Sequence, residues 1–202
     1  MSSTQIMGVV AGALSLAVTS IVTAQQQTGP ERSRAASPPH AVDAESAPRP
    51  VLLALRISRP IEIDGLLDEP AWQLADSATG FIQTQPDAGY PATERTVVRV
   101  LYDERNLYVG AVMYDSRPDR LRVPGLEQDF ATHDADMFGV VLDTYLDRQN
   151  AFLFGVNPEG GLFDAQAFND SRYVNRAWEG VVHRRTRINE NGWTAEMAIP
   201  LT

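Results

Sequence analysis

Ile61-Glu62-Ile63-Asp64-Gly65-Leu66-Leu67-Asp68-Glu69-Pro70-Ala71-Trp72 carries the sharpest local signals in this chain. Ile61 and Ile63 alternate with polar neighbours, as a short strand requires, and Asp64-Gly65 supplies a turn. Asp68 is placed to accept hydrogen bonds from the free amides of a first helical turn. Pro70 stands where a missing N–H costs little. The stretch reads as strand, turn and a short helix over 68–75 that carries Trp72 inward.

Outward from it, the dominant period is two. Strands are expected at 52–57, 61–63, 80–83, 96–102, 107–114, 137–142, 151–156, 162–168, 181–188 and 193–199. Polar turns punctuate them: Asp103-Glu-Arg-Asn106, Asn157-Pro-Glu-Gly-Gly161 and Asn189-Glu-Asn-Gly192. A further helical turn is expected near 117–121. Many short strands at this spacing argue an all-β fold, an antiparallel, jelly-roll-like β-sandwich with one short helix.

Upstream, Ile6 to Val22 is an uncharged run of apolar and small residues, followed by Val22-Thr-Ala24. It reads as the hydrophobic region and cleavage site of a signal peptide over 1–24, although no basic residue precedes it; a membrane anchor is the alternative. Residues 25–50 hold five prolines among Ser, Ala, Gln and Arg, with almost nothing apolar to repay ordering, and read as a disordered tether. Residues 51–202 suffice for one well-filled domain. The chain has no cysteine, so an exported domain must rely on packing or bound ions. All seventeen basic residues are Arg, and the net charge is −9, which disfavours nucleic acid as a partner and suits neutral ligands or divalent cations.

Nucleophilic and zinc chemistry lack their motifs: there is no Cys, no Gly-x-Ser-x-Gly, and His40, His133 and His183 form no zinc pattern. Glycoside hydrolysis needs only two carboxylates, for which Asp134, Asp136, Glu179 and Glu196 are candidates, but solvated or ion-binding carboxylates are the plainer reading. Asp115, Asp129, Asp134 and Asp136 cluster around one loop, and Asp143 and Asp147, with Asn150, sit in another; such loops supply the oxygens that Ca²⁺ takes. Haem ligation by Met113, Met137 or His133 has no fixed spacing to support it. Sugar recognition needs flat aromatic faces beside planar polar groups. Trp72 and Trp193 read as core and Trp178 as the freest tryptophan, so Asn169, Tyr173, Arg176 and Trp178 are the residues that would line a cleft, against the plainer alternative of loop packing. Arg99 shares a strand face with Val97 and Leu101, so it calls for a carboxylate partner or a ligand.

Ile61–Trp72, together with Val97-Val-Arg-Val-Leu-Tyr-Asp-Glu-Arg-Asn-Leu-Tyr-Val109, resembles the opening of the family 9 carbohydrate-binding modules, a DOMON-like β-sandwich. It looks most like the version at the N-terminus of large bacterial outer-membrane proteins. The resemblance spans roughly 57 to 202. Asn191 to Pro200 resembles the penultimate part of the module, so a fragment, incomplete at the C-terminus, of a longer protein is expected. The resemblance implies structural calcium, with Asp115 and Asp136 matching positions near the family's metal loops. It also implies a clamp of two tryptophans, and here the chain departs. The first clamp position is His133, a family glutamate falls at Gly139, a family arginine at or near Gly155, and the second tryptophan beyond Thr202. His133 would have to stack on a ring in the tryptophan's place. The expected function is non-catalytic carbohydrate binding in an exported cell-envelope protein, with a polysaccharide or oligosaccharide as partner. The alternative is a soluble structural domain ahead of an outer-membrane barrel, without sugar affinity.

Overall fold

Among the described residues, antiparallel pairing builds both sheets apart from one short parallel pair. The computed structural model describes residues 51–201, and of residues 2–11 and 14–23 the backbone alone. The elements are β1 (Ser2–Ala11), β2 (Leu14–Thr23), β3 (Leu55–Arg56), α1 (Pro70–Leu74), β4 (Ser77–Ala78), β5 (Thr96–Tyr102) and β6 (Asn106–Tyr114). A 3₁₀ turn at Pro118–Arg120 follows, then β7 (Met137–Asp143), β8 (Ala151–Val156), β9 (Leu162–Phe168), β10 (Tyr173–Asn175), β11 (His183–Asn189) and β12 (Gly192–Pro200). One sheet runs β1-β2-β7-β8-β9-β10 and the other β11-β12-β6-β5-β3, with β4 also paired to β5.

The two sheets close on one core. β5 sends Val98 and Val100 inward, β6 sends Val109, Ala111 and Met113, and β12 sends Trp193, Ala195, Met197 and Ile199. They meet Phe138, Val140 and Leu142 of β7, Phe154 and Val156 of β8 and Leu162 of β9. These residues alternate along each strand, so one apolar face per strand is enough to seal a sandwich. Trp193 is core, as its alternation predicts.

Each sheet also has a covered outer face. Over the second sheet, α1 and the segment before it lay Trp72, Ala75 and Ile61 on Leu101, Tyr108 and Ala198. Over the first, the loop before β7 packs Phe130 and Ala135 against Phe163 and Ala165.

Several expectations need correction. Ile61–Ile63 is not a strand: the Glu62 amide donates to Glu69 Oε1, and just beyond it Asp64 N donates to Glu196 Oε2, both at 3.1 Å. The 80–83 strand shrinks to one bridge, Ile82 to Pro91. The helix starts later than Asp68, with Glu69 at the N-cap, no capping side chain, and Pro70 in the first turn. Residues 2–11 and 14–23, rich in β-branched residues, pair as β1 and β2, with β2 on β7 from Ser15↔Asp143 to Ile21↔Met137; that pairing concerns their backbone here and leaves the signal peptide an expectation. The tether at 25–50 lies outside the described residues. Among the described residues, no helix is long and apolar enough to cross a membrane.

Candidate functional site

The inward-facing rows of the first sheet change character toward one end. Phe154 pairs with Asp164, and Phe152 pairs with Gln166, which in turn pairs with Asn175. The last row is Phe168 beside Tyr173. Partners directly opposite share a face. The apolar core therefore gives way to rings and amides at this end. Tyr145, Asn150, Phe152, Gln166 and Phe168 line a cavity there of about 270 Å³. Tyr145 is 73% exposed and Tyr173 68%, far more than a packed ring needs.

Trp178 stands beside this cavity. Its ring centroid lies 4.9 Å from that of Phe152 and 5.7 Å from that of Phe154. Trp178 is the freest of the three tryptophans, as expected, half-buried where Trp72 and Trp193 are buried, yet it still packs on the core. Asp164 fixes it in place. That carboxylate is fully buried, accepts from the Gly180 amide, and so draws in the loop that carries Trp178. Gly180 has no side chain for a reason, since a Cβ there would come within 2.6 Å of the Phe154 ring and closer still to Trp178.

Two loops frame the cavity, 144–150 and 169–172. Of the six non-glycine residues with left-handed backbone among the described residues, five lie in them: Leu146, Arg148, Asn169, Asp170 and Ser171. Asp170 N donates to Gln149 O at 2.9 Å and ties the loops together. Such conformations cost energy at each residue and concentrate where ligands bind. In the first loop the cost is offset by carboxylates. Asp143 accepts from the amides of Asp147 and Arg148. Asp147 accepts from Gln149 N, Asn150 N and Asn150 Nδ2, and these bonds, the Gln149 amide first, lower its pKa.

The other predicted ligand residues are dispersed. Asn169 and Tyr173 join Trp178 at this end of the sheet. Arg176 does not: its guanidinium lies 5.2 Å from the centre of the Phe163 ring, on the outer face. His133 belongs to an exposed turn, with Nε2 2.9 Å from Asp134 Oδ2. Arg99 lies under the outer layer of the other sheet, opposite Ser77 and Gly110. Of the two expectations for it, a carboxylate partner or a ligand, the first is not met among the described residues, and its Nε is buried without a hydrogen bond.

The carboxylates proposed for metal are also spread out. Asp115 accepts from Arg117 N at 2.6 Å, and buried Asp136 from Arg122 N at 2.7 Å. Asp129 donates its amide to Leu162 O, and Asp134 turns to His133. Among the described residues, no three His, Asp or Glu side chains converge as a metal site.

The positions where the resemblance would put a glutamate and an arginine are Gly139 and Gly155, directly opposite each other on β7 and β8. A Cβ on Gly155 would lie 2.6 Å from Met137 Sδ. A thioether fills that space, with Phe163 and Phe130 beside it. The outer face is therefore apolar and closed at the two positions where the resemblance would put a glutamate and an arginine.

One buried group escaped the sequence reading as a structural residue. Glu196 lies on the outer face of β12, fully buried. Oε2 accepts from Asp64 N at 3.1 Å and Gly65 N at 2.8 Å, and Oε1 from Trp72 Nε1 at 3.0 Å. Burial raises its pKa to about 7, with Glu69 adding to the rise and the three donors opposing it. Its signal was a lone acidic residue between the apolar positions Ala195 and Met197 on an otherwise alternating strand.

No protein-family model matches the sequence, and no curated protein does. Among solved structures, the chain is similar to a family 9 carbohydrate-binding module from Caldicellulosiruptor kristjanssonii, determined in complex with cellotriose. The two are 19% identical, with a TM-score of 0.49, over 74% of this chain and 67% of that one.

Proposed function

We propose that this chain is a non-catalytic carbohydrate-binding domain of an exported cell-envelope protein, and that it binds through the ring-and-amide end of the β7–β10 sheet. One observation carries the reading: exposed Tyr145 and Phe168 line a cavity whose polar lining is Asn150 and Gln166, with exposed Tyr173 opposite Phe168 on β10 and two backbone-strained loops as the frame. Flat rings suit the apolar faces of pyranoses, and carboxamides both donate to and accept from hydroxyls. Nothing in the cavity lining is ionised, which suits a neutral sugar. The apolar run at 6–22 supports export, with cleavage after Ala24; such cleavage would remove β2 from β7 and leave that edge of the sheet open.

The test is affinity electrophoresis and calorimetry of the full chain against neutral soluble glucans, xylans and mannans. Saturable binding of at least one, abolished in the Tyr145→Ala/Phe168→Ala double variant, is the expected result. Uniform failure to bind, or binding indifferent to that double variant, overturns the assignment. Intact mass of the protein recovered from the periplasm or medium tests export.

A further inference from the structure

The second sheet ends at β11, whose sequence His183-Arg-Arg-Thr-Arg-Ile-Asn189 is cationic in a chain of net charge −9. His183 pairs with Ala198 and Arg185 with Glu196, so both side chains lie on the outer face. There they border a cleft of about 480 Å³ between β11 and the 60–63 segment. Ile61, Ile63, Tyr108 and Ala198 give it an apolar floor, and no Asp or Glu lines it. Glu196, next to Arg185 in register, is fully buried, and its oxygens are taken by Asp64 N, Gly65 N and Trp72 Nε1, so it forms no ion pair with Arg185. Arg185 spends one N–H on Arg184 O, leaving most of its donor fork uncommitted.

The cleft continues past Pro60 and Asn106 into a wider groove of about 690 Å³ that includes Arg105. The acids of that groove are engaged. Asp103 accepts from Arg105 N, Asn106 N and the Tyr108 hydroxyl, and Glu104 pairs with Arg56 at 3.2 Å.

We infer that this cleft is a second binding site, for a small ligand bearing an oxyanion, carboxylate or phosphate. His183 and Arg185 take the anion, and its less polar body lies on Ile61, Ile63 and Ala198. A planar guanidinium matches either oxyanion with two parallel N–H bonds. The site lies on the opposite sheet from the proposed sugar surface and stands or falls independently of it.

The experiment titrates the full chain separately with glucuronate, inorganic phosphate and glucose, following amide NMR shifts at β11. At least one anion should saturate at roughly millimolar concentration, while glucose leaves β11 unmoved. Glucuronate alone assigns a carboxylate ligand, phosphate alone a phosphate ligand, and both assign the shared oxyanion. Arg185→Ala should weaken binding about tenfold or more and Arg185→Lys less, with added salt weakening the wild type. Arg185 and Tyr173 are both exposed, so substitution at either should leave circular dichroism unchanged, and Tyr173→Ala should bind the anion as the wild type does. The inference is overturned if neither anion saturates by roughly 10 mM, if glucose binds as well as glucuronate, or if Arg185→Ala keeps full affinity.

Discussion

Trp72 and Glu196 meet across 124 residues of sequence, the indole Nε1 donating to Oε1 at 3.0 Å in a buried setting. The bond joins the two stretches that define the outer layer of the second sheet: the turn and helix at 64–74, and β12. The other oxygen of Glu196 holds the Asp64 and Gly65 amides, so one carboxylate fixes both the turn and the tryptophan that follows it.

Glu196→Ala is therefore expected to leave three donors without an acceptor. A buried, unsatisfied donor costs about 1–3 kcal/mol, so the total loss should reach about 3 kcal/mol or more. Urea unfolding of Glu196→Ala beside Glu196→Gln checks this. The amide variant keeps one acceptor oxygen and should lose less. Equal stability of Glu196→Ala and the wild type would refute the clamp.

The same residue makes stability depend on pH. Its pKa is about 7 in the fold against an ordinary 4.5, so between those values the folded chain holds a proton that the unfolded chain has lost. Stability from this group is complete below pH 4.5 and declines as pH rises through 7. With solvent screening allowed for, the decline should be on the order of 2 kcal/mol. Denaturation midpoints measured from pH 5 to 8 should fall in the wild type and fall less in Glu196→Gln. Parallel curves for the two proteins would contradict the assignment.

Gly110 sits between Glu196 and Arg99 in the same row of the sheet, and the Trp72 ring lies over it. An added Cβ would come within 2.9 Å of two ring carbons and 2.6 Å of Leu67 Cδ2. Gly110→Ala should cost about 1–3 kcal/mol by overpacking. Its partner test is Gly110→Ala in a Trp72→Phe background, where the smaller ring should recover part of the loss.

The strands were readable because each carries one apolar face at period two; β5, β8 and β9 fall within the expected bounds. The 61–63 error has a physical origin. Alternation marks a side-chain pattern, whereas a ladder needs backbone partners, and here the Glu62 amide goes to Glu69 and the following Asp64 amide to Glu196. Tyr173–Asn175 went unread as β10 because its three residues are all exposed and carry no alternation. Part of the site was legible: Trp178, Tyr173 and Asn169 do gather at one end of a sheet. Phe152, Gln166 and Phe168 were hidden inside strands that read as plain core, since sequence cannot show where one sheet outruns its cover. Arg176 was misplaced because a residue just past a three-residue strand has no period to fix its face.

Trp178 and Tyr173 allow packing and binding to be separated at the proposed sugar surface. Trp178→Ala removes a ring that lies against Phe152 and Phe154, and should cost about 3 kcal/mol of stability together with any sugar affinity. Tyr173 is 68% exposed, so Tyr173→Ala should change stability by no more than about 0.5 kcal/mol. Its ring is still a stacking face, worth about 1.5 kcal/mol or roughly tenfold in affinity. Tyr173→Phe should bind like the wild type if the ring acts by its face and not through its hydroxyl. Calorimetric titration of the three variants, with urea unfolding run on the same preparations, distinguishes the roles. Loss of affinity only where stability is also lost would mean that this end of the sheet is packing and not a binding surface.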